Sequence, residues 1–215
     1  MPECIYIRIN EKNPNPHDIE RAVEVLKRGG IIIYPTDTVY GIGCDISNSK
    51  AVERIIKIKG QKPKDAHFSF ICHDLSHIAD FAKVDNPTFK LMKRNLPGPF
   101  TFILPGLNRV PDYFISRQKT VGIRIPNNAI PLEIVKYLGK PILTSSLKDD
   151  DELIEYTTDP EQIFENYKEL VDMVIDGGYG NNIPSTIVDC TSGEAIVIRE
   201  GLGELVWQFA NVAMS

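Results

Sequence analysis

The run Ile31-Ile32-Ile33-Tyr34-Pro35-Thr36-Asp37-Thr38-Val39-Tyr40-Gly41-Ile42-Gly43 organises the reading of this chain. A buried apolar run feeds a proline, two hydroxyl residues flank a carboxylate, and two glycines close the segment. Such a segment delivers polar side chains from the end of a core strand to a concave site. The same residues also fit a strand followed by an ordinary Pro/Gly turn, and chemistry alone leaves both readings standing.

Outward from this run, strand and helix signals alternate. Ile5, Ile7 and Ile9 alternate with Tyr6 and Arg8 as in a half-buried strand. Asn15-Pro16 reads as an N-cap with proline at the first helical position, and Ile19, Ala22, Val23 and Leu26 carry the helix to Gly29-Gly30. Ser47-Asn48-Ser49 offers caps to a helix bearing Ala51, Val52, Ile55 and Ile56, with Lys57 and Lys59 at the negative end of its dipole. Further strands are expected over Phe68–Cys72, Phe100–Leu104, Thr120–Ile125, Pro141–Ser146, Val171–Ile175, Ser185–Asp189 and Ala195–Arg199. Further helices are expected from Asp74 through Phe81, from Asn86-Pro87 to Pro97-Gly98-Pro99, over Asn128–Leu138, and from Asp159-Pro160 towards Leu170.

Lys148 to Thr158 is irregular and carries three consecutive acids, Asp149–Asp151, which reads as a solvated loop. The late strands follow one another directly. That favours an α/β fold of three layers with a mixed twisted β-sheet over a strictly parallel Rossmann sheet. With no repeat, low-complexity linker or boundary signal, residues 1–215 read as a single domain.

Apolar content of 42% and charged content of 25% are ordinary for a globular protein, and a net charge of −5 argues against a generally basic nucleic-acid coat protein. A local basic cleft remains compatible with it. Cys4, Cys44, Cys72 and Cys190 are scattered without a C-x-x-C pair, which suits a reducing compartment. No signal peptide or membrane-length apolar run is evident, so a cytoplasmic location and no membrane partner are expected.

Several familiar devices are missing. There is no phosphate loop of the G-x-x-x-x-G-K-S/T type, Gly41-Ile42-Gly43 lacks the third glycine of a dinucleotide fingerprint, and no G-x-S-x-G elbow occurs. His73 and His77, with Asp80 nearby, have helical metal-ligand spacing, but without an H-E-x-x-H pattern surface histidines are the better reading. What repeats is core strands ending in hydroxyls: Thr36 and Thr38, then Thr144, Ser145 and Ser146, then Ser185 and Thr186. Arg124 lies within an apolar strand and Arg199 ends one. Each needs an anionic partner, either a protein carboxylate such as Asp37 or Asp189 or an anionic ligand. Lys57, Lys59, Lys62 and Lys64 add a basic edge that reads as a solvated helix end or as a polyphosphate- or RNA-steering patch.

The blocks Tyr34–Gly41, Lys59-Gly60, Pro97–Thr101, Thr120–Pro126, Thr144–Ser146, Pro184–Asp189 and Ile198–Gly201 resemble, in order, the YrdC-like domain of the threonylcarbamoyl-AMP synthase family. The resemblance covers a core of about residues 15–203. It implies a YrdC-like mixed α/β fold around a central basic cavity. It also implies conversion of L-threonine, bicarbonate and ATP to threonylcarbamoyl-AMP and pyrophosphate, an early step of t6A tRNA modification. The protein would then be a nucleotidyltransferase with ATP as substrate and Mg²⁺ as cofactor. Some family members are also described as binding double-stranded RNA. Carried over residue by residue, the resemblance places threonine near Thr38, Arg124, Ser145 and Ser185. It places the nucleotide near Lys59, Lys62, Thr120, Ser146 and Arg199. No side chain is needed as a covalent nucleophile.

The departures resemble the YciO branch. The family's K-x-R reads Lys59-Gly60-Gln61 here, S-x-N reads Ser146-Leu147-Lys148, and Ile71 stands where a histidine is expected. Lysine does not reproduce the bidentate phosphate geometry of arginine. The altered positions keep two alternatives open: a protein that binds tRNA, double-stranded RNA, ATP or AMP without turnover, or a threonylcarbamoyl-AMP hydrolase.

Overall fold

Ten strands join in one mixed sheet in a computed structural model that describes residues 3–60, 68–107, 120–147 and 158–207. In chain order the elements are β1 (Ile5–Arg8), α1 (Pro16–Lys27), β2 (Ile31–Tyr34), β3 (Gly41–Asp45), α2 (Ser49–Ile58), β4 (Ser69–Ile71), α3 (Asn86–Asn95), β5 (Phe100–Pro105), β6 (Thr120–Arg124), α4 (Ala129–Leu138), β7 (Ile142–Ser146), α5 (Pro160–Tyr167), β8 (Met173–Asp176), β9 (Thr186–Asp189) and β10 (Ile196–Arg199). Across the sheet the order is β1-β8-β2-β3-β7-β4-β6-β5-β9-β10. Parallel pairs (β1–β8, β8–β2, β4–β6, β5–β9) are interleaved with antiparallel ones, so the expected mixed α/β sheet is what forms.

Local chemistry sets the helix starts. Asn15 accepts a hydrogen bond from the His17 N–H with Pro16 in the first turn, Asn48 caps α2 through the Ala51 N–H, and Asn128 caps α4 through the Ile130 N–H. Gly139, at φ 74°, closes α4 in the left-handed conformation. Two expectations change. The helix read from Asp74 through Phe81 is only a short 3-10 turn over His77–Asp80, because the Asp74 carboxylate gathers the Ser76 and His77 N–H groups into a local turn. Gly41-Ile42-Gly43, which also fitted a turn after the strand, instead opens a fully buried strand, Gly41–Asp45.

Strand alternation divides the sheet's side chains between two faces. On one face Ile31, Ile33, Ile42, Cys44 and Leu143 pack with α2 and α5. The same face continues through Phe70, Ile123, Phe102 and Val188 to α3. On the other, Ile32, Tyr34, Ile71, Ile142, Met173 and Ile175 lie under α1 and α4. That second cover stops at β4. From β6 to β10 the same face presents Arg124, Thr101, Ile187 and Arg199 in one cross-strand row, and no helix among the described residues buries it. The half-covered face is where polar side chains collect.

Ile33 is fully buried, whereas Ile198 on the edge strand is 55% exposed. Ile33→Ala should lower the unfolding free energy by about 2–5 kcal/mol, and Ile198→Ala should change it by less than about 0.5 kcal/mol. Equilibrium urea unfolding of the two variants checks this.

Candidate functional site

The loop between β2 and β3 is held by its own hydroxyls. Thr36 Oγ1 accepts from the Thr38 N–H at 3.0 Å and donates to the Val39 carbonyl at 2.7 Å. Because the Thr36 proton is committed to Val39, the 3.1 Å contact between the two hydroxyls has Thr38 as donor. Arg124 Nη2 then donates to Thr38 Oγ1 at 2.9 Å and to Asp37 Oδ1 at 3.1 Å. Asp37 Oδ2 accepts from the Asn127 N–H, just past the end of β6.

The Arg124 and Asp37 side chains are only 8% and 10% exposed, so this is a buried ion pair. Burial pushes the Arg124 guanidinium below its ordinary pKa, the positive charge of Arg199 acts in the same direction, and Asp37 opposes both. Among the described residues Arg124 Nε is buried without a hydrogen-bond partner. Two cations therefore share one field with one carboxylate, and one of them keeps a buried donor for a further acceptor.

The glycines of the opening run have a steric reason. A Cβ on Gly41 would lie 3.2 Å from Tyr34 Cζ and from Thr144 Oγ1, and one on Gly43 would lie 3.1 Å from Tyr34 Cε1. The Tyr34 ring thus crosses bare β3 backbone, and its hydroxyl reaches Thr144 on β7 at 2.6 Å. Burial pushes the Tyr34 phenol well above its ordinary pKa, so it stays a donor.

Of the expected threonine-side residues, Thr38 is fully buried and acts as the hydrogen-bond partner of Arg124. Ser185 Oγ meets Thr101 Oγ1 at 2.8 Å, and Arg199 Nη2 donates to the Ser185 carbonyl at 2.9 Å. Lys59, at the C-terminal cap of α2, crosses to the Ser146 carbonyl at 2.8 Å, which brings together two residues expected on the nucleotide side. Thr120 begins β6 and Arg124 ends it, about 13 Å apart along the strand.

Ser145 is not brought to this face. It pairs with Ile42, whereas Thr144 and Ser146 alternate to the side of Gly43 and Gly41. Thr144, named above among the strand-ending hydroxyls, is the one that alternation in Thr144-Ser145-Ser146 sets on the same face as Ser146. Ile71, at the expected histidine position, is fully buried beneath α1 and α4. Gln61, Lys62, Lys64 and Lys148 lie outside the described residues.

Among the described residues no group of three or more His, Cys, Asp or Glu is placed to hold a metal. His73 pairs with Asp74 rather than Asp80, and its ring centre is 6.3 Å from that of His77. The chain's own described side chains therefore do not form a Mg²⁺ cage. A cleft of about 540 Å³ opens beside Pro35–Asp37, lined in part by Glu11, Asn128, Tyr179 and Asn181. Among the described residues no lysine or arginine lines it, so it does not match the basic cavity that the resemblance implies.

The chain belongs to the Sua5/YciO/YrdC family, whose model, described as "Telomere recombination", matches residues 24–201. Over 202 residues it is 40% identical to YciO of Escherichia coli (strain K12), across 93% of this chain and 97% of that protein. The crystal structure of E. coli YciO superposes with a TM-score of 0.85 at 38% identity, covering 95% of this chain and 98% of that one. The crystal structure of P. abyssi Sua5 complexed with L-threonine superposes with a TM-score of 0.83 at 26% identity, covering 92% of this chain and 57% of that one.

Asp37→Ala should cost about 3–5 kcal/mol in urea unfolding, because it leaves Arg124 buried and uncompensated. The double variant Asp37→Ala/Arg124→Met should recover part of that loss by removing both charges. The thiols yield a second expectation. Burial pushes Cys4 and Cys190 up to about 11 and Cys44 and Cys72 up to about 12, all above solution pH. At pH 8 the native protein should show less than about one reactive thiol per chain towards DTNB within minutes. All four free cysteines should react once guanidinium unfolds it.

Proposed function

We propose that this protein binds L-threonine and ATP and forms threonylcarbamoyl-AMP, the adenylate that feeds t6A modification of tRNA. The observation that carries this reading is the buried Arg124, whose Nη2 is fixed by Asp37 and Thr38 and whose Nε donor has no protein acceptor. A carboxylate suits that donor in charge and geometry. Arg199, close enough to shift Arg124, supplies the second positive charge for a phosphate. The superposition with a Sua5 bound to L-threonine supports the amino-acid half of the reading.

In this scheme the carboxylate of threonine lies on Arg124, and the phosphates lie towards Lys59, Ser146, Thr120 and Arg199, with Lys62 extending the basic edge. The threonine amine takes up bicarbonate with loss of one water to give the carbamate, whose oxygen attacks the α-phosphorus; a new P–O bond forms, and pyrophosphate leaves with the electron pair of the broken bond. Mg²⁺, carried with the triphosphate, would supply charge neutralisation. The protein's own contribution is alignment and preorganised positive charge rather than covalent catalysis.

Purified protein given ATP, L-threonine, bicarbonate and Mg²⁺ should release pyrophosphate only when threonine is present. Arg124→Ala should reduce that rate by about 100-fold, and Arg124→Lys should not restore it, since lysine lacks the fork. Each bound ligand should raise the melting temperature, the stabilisation reaching about 2.7 kcal/mol at 100 times Kd. Absence of both pyrophosphate and any thermal shift overturns the reading. Hydrolysis of supplied threonylcarbamoyl-AMP without synthesis would assign the degradative direction. Salt-dependent RNA retention, lost in Lys59→Ala and Lys62→Ala but without turnover, would assign a binding protein.

A further inference from the structure

The loop over residues 35–38 has two sides. Thr38 meets Arg124 on one. On the other lies the cleft of about 540 Å³ that Pro35, Thr36 and Asp37 help to line, a volume that suits a small organic ligand. Its opposite wall is the turn over residues 177–182, which is pinned along its length. The Gly178 N–H donates to Asp176 Oδ1 at 2.8 Å, and the Tyr40 hydroxyl donates to the Gly178 carbonyl at 2.7 Å. The Gly180 N–H reaches the Thr158 carbonyl at 2.7 Å, and the Asn181 N–H reaches the Thr38 carbonyl at 3.2 Å. A Cβ on Gly177 would lie 2.5 Å from Pro35 Cγ, so the turn presses on the loop with no room for a side chain. A wall fixed in this way is preorganised, which lowers the cost of binding.

Groups with unused bonding capacity collect in this cleft. Asn128 is 4% exposed, and its Oδ1 is committed to the Ile130 N–H at 3.0 Å as the cap of α4. Its amide N–H groups are therefore what Asn128 offers to the cleft it lines, and they have no acceptor among the described residues. The Glu11 carboxylate has no ion pair or hydrogen bond among the described residues either. Tyr179, carried on the pinned turn, keeps 81% of its surface exposed.

This lining selects its ligand largely by exclusion. Two carboxylates, Glu11 and Asp37, with no lysine or arginine among the described residues, repel phosphates and other anions. A bare metal ion is disfavoured by the Asn128 donor, and no three ligating side chains converge among the described residues. A cation whose charge is carried on N–H groups answers Glu11 and can lie on the Tyr179 ring. A carbonyl beside that charge answers the buried Asn128 amide.

We propose that this cleft binds a small organic cation, a guanidinium or ammonium compound that carries a carbonyl oxygen for the Asn128 amide. The site is separate from the one at Arg124 and opposite to it in charge preference, and it does not depend on the function proposed above.

The test is titration of the ¹⁵N-labelled full chain at low salt with L-argininamide, with agmatine, which lacks the carbonyl, with inorganic phosphate and with Mg²⁺. L-Argininamide should shift the amide signals of residues 177–182 with a dissociation constant of about 1 mM or below. Glu11→Gln should weaken both organic cations about fivefold, and Tyr179→Ala about threefold. Asn128→Ser keeps a capping oxygen for α4, so the melting temperature should stay within about 2 °C. It should weaken L-argininamide about fivefold and leave agmatine within about twofold. Absence of any shift with L-argininamide at about 10 mM overturns the proposal. So does L-argininamide affinity unchanged in both Glu11→Gln and Tyr179→Ala, both of which alter exposed side chains and spare the fold. Shifts of the same amides by phosphate or Mg²⁺ at lower concentration than by L-argininamide also overturn it.

Discussion

The pair formed by Arg124 and Asp37 joins residues 87 positions apart in the chain, and much of the local order answers to it. An isolated guanidinium at the end of a core strand is too costly to bury, so the β2–β3 loop must bring a carboxylate to it. Thr36 and Thr38 keep that loop in one shape through side-chain bonds to its own backbone. The Asn127 N–H fixes the second carboxylate oxygen, which ties the loop back to the strand end that carries Arg124. The circuit closes on itself. What it leaves over is directional: one buried Nε donor on a side chain that cannot swing away.

The same constraint accounts for the unequal covering of the sheet. α1 and α4 bury an aliphatic strip over β1, β8, β2 and β4. Extending that strip to β6 would set apolar side chains against a charge whose remaining donor needs a polar partner. The transition between the two regimes is made by Tyr34, whose ring belongs to the aliphatic cluster while its hydroxyl joins Thr144. Glycines at positions 41 and 43 are what let the ring cross the intervening strand. One aromatic residue thus serves as the last piece of core and the first piece of the polar floor.

Much of this was legible beforehand because it rests on local rules. Asn15-Pro16, Asn128 and Asp159-Pro160 announced helix starts, and apolar-rich runs announced β2, β5 and β8. Charge grounds alone offer Asp37, Asp189 or an anionic ligand as the partner of Arg124, and the fold selects Asp37. β3 was hidden because two glycines lower its strand propensity, and the compensating reason for them is a tertiary contact with Tyr34. Asp74 to Phe81 carries apolar residues that suit a helix, yet Asp74 spends its carboxylate on a tight turn. Ser145 shares its face with Ile42 while Thr144 and Ser146 take the other, an alternation the sequence already contains. The convergence of Arg199 on Arg124 could not be read, since a four-strand separation is bridged only by the final sheet order.

Net charge illustrates how local that convergence is. The chain as a whole carries −5, yet around Arg124 two cations face a single carboxylate. A surface imbalance of that size would be screened within about 10 Å by ordinary salt, but a buried one is screened far less. The imbalance therefore acts on whatever enters the half-covered face and has little bearing on the protein's overall behaviour in solution. Every cysteine is held as a thiol by burial, and the Thr36 and Thr38 protons are committed to neighbours. With no activated nucleophile among these groups, the proposed function calls for reactants aligned against fixed charge. A strand-end arginine locked by its own loop meets that requirement, because its geometry is set before any ligand arrives.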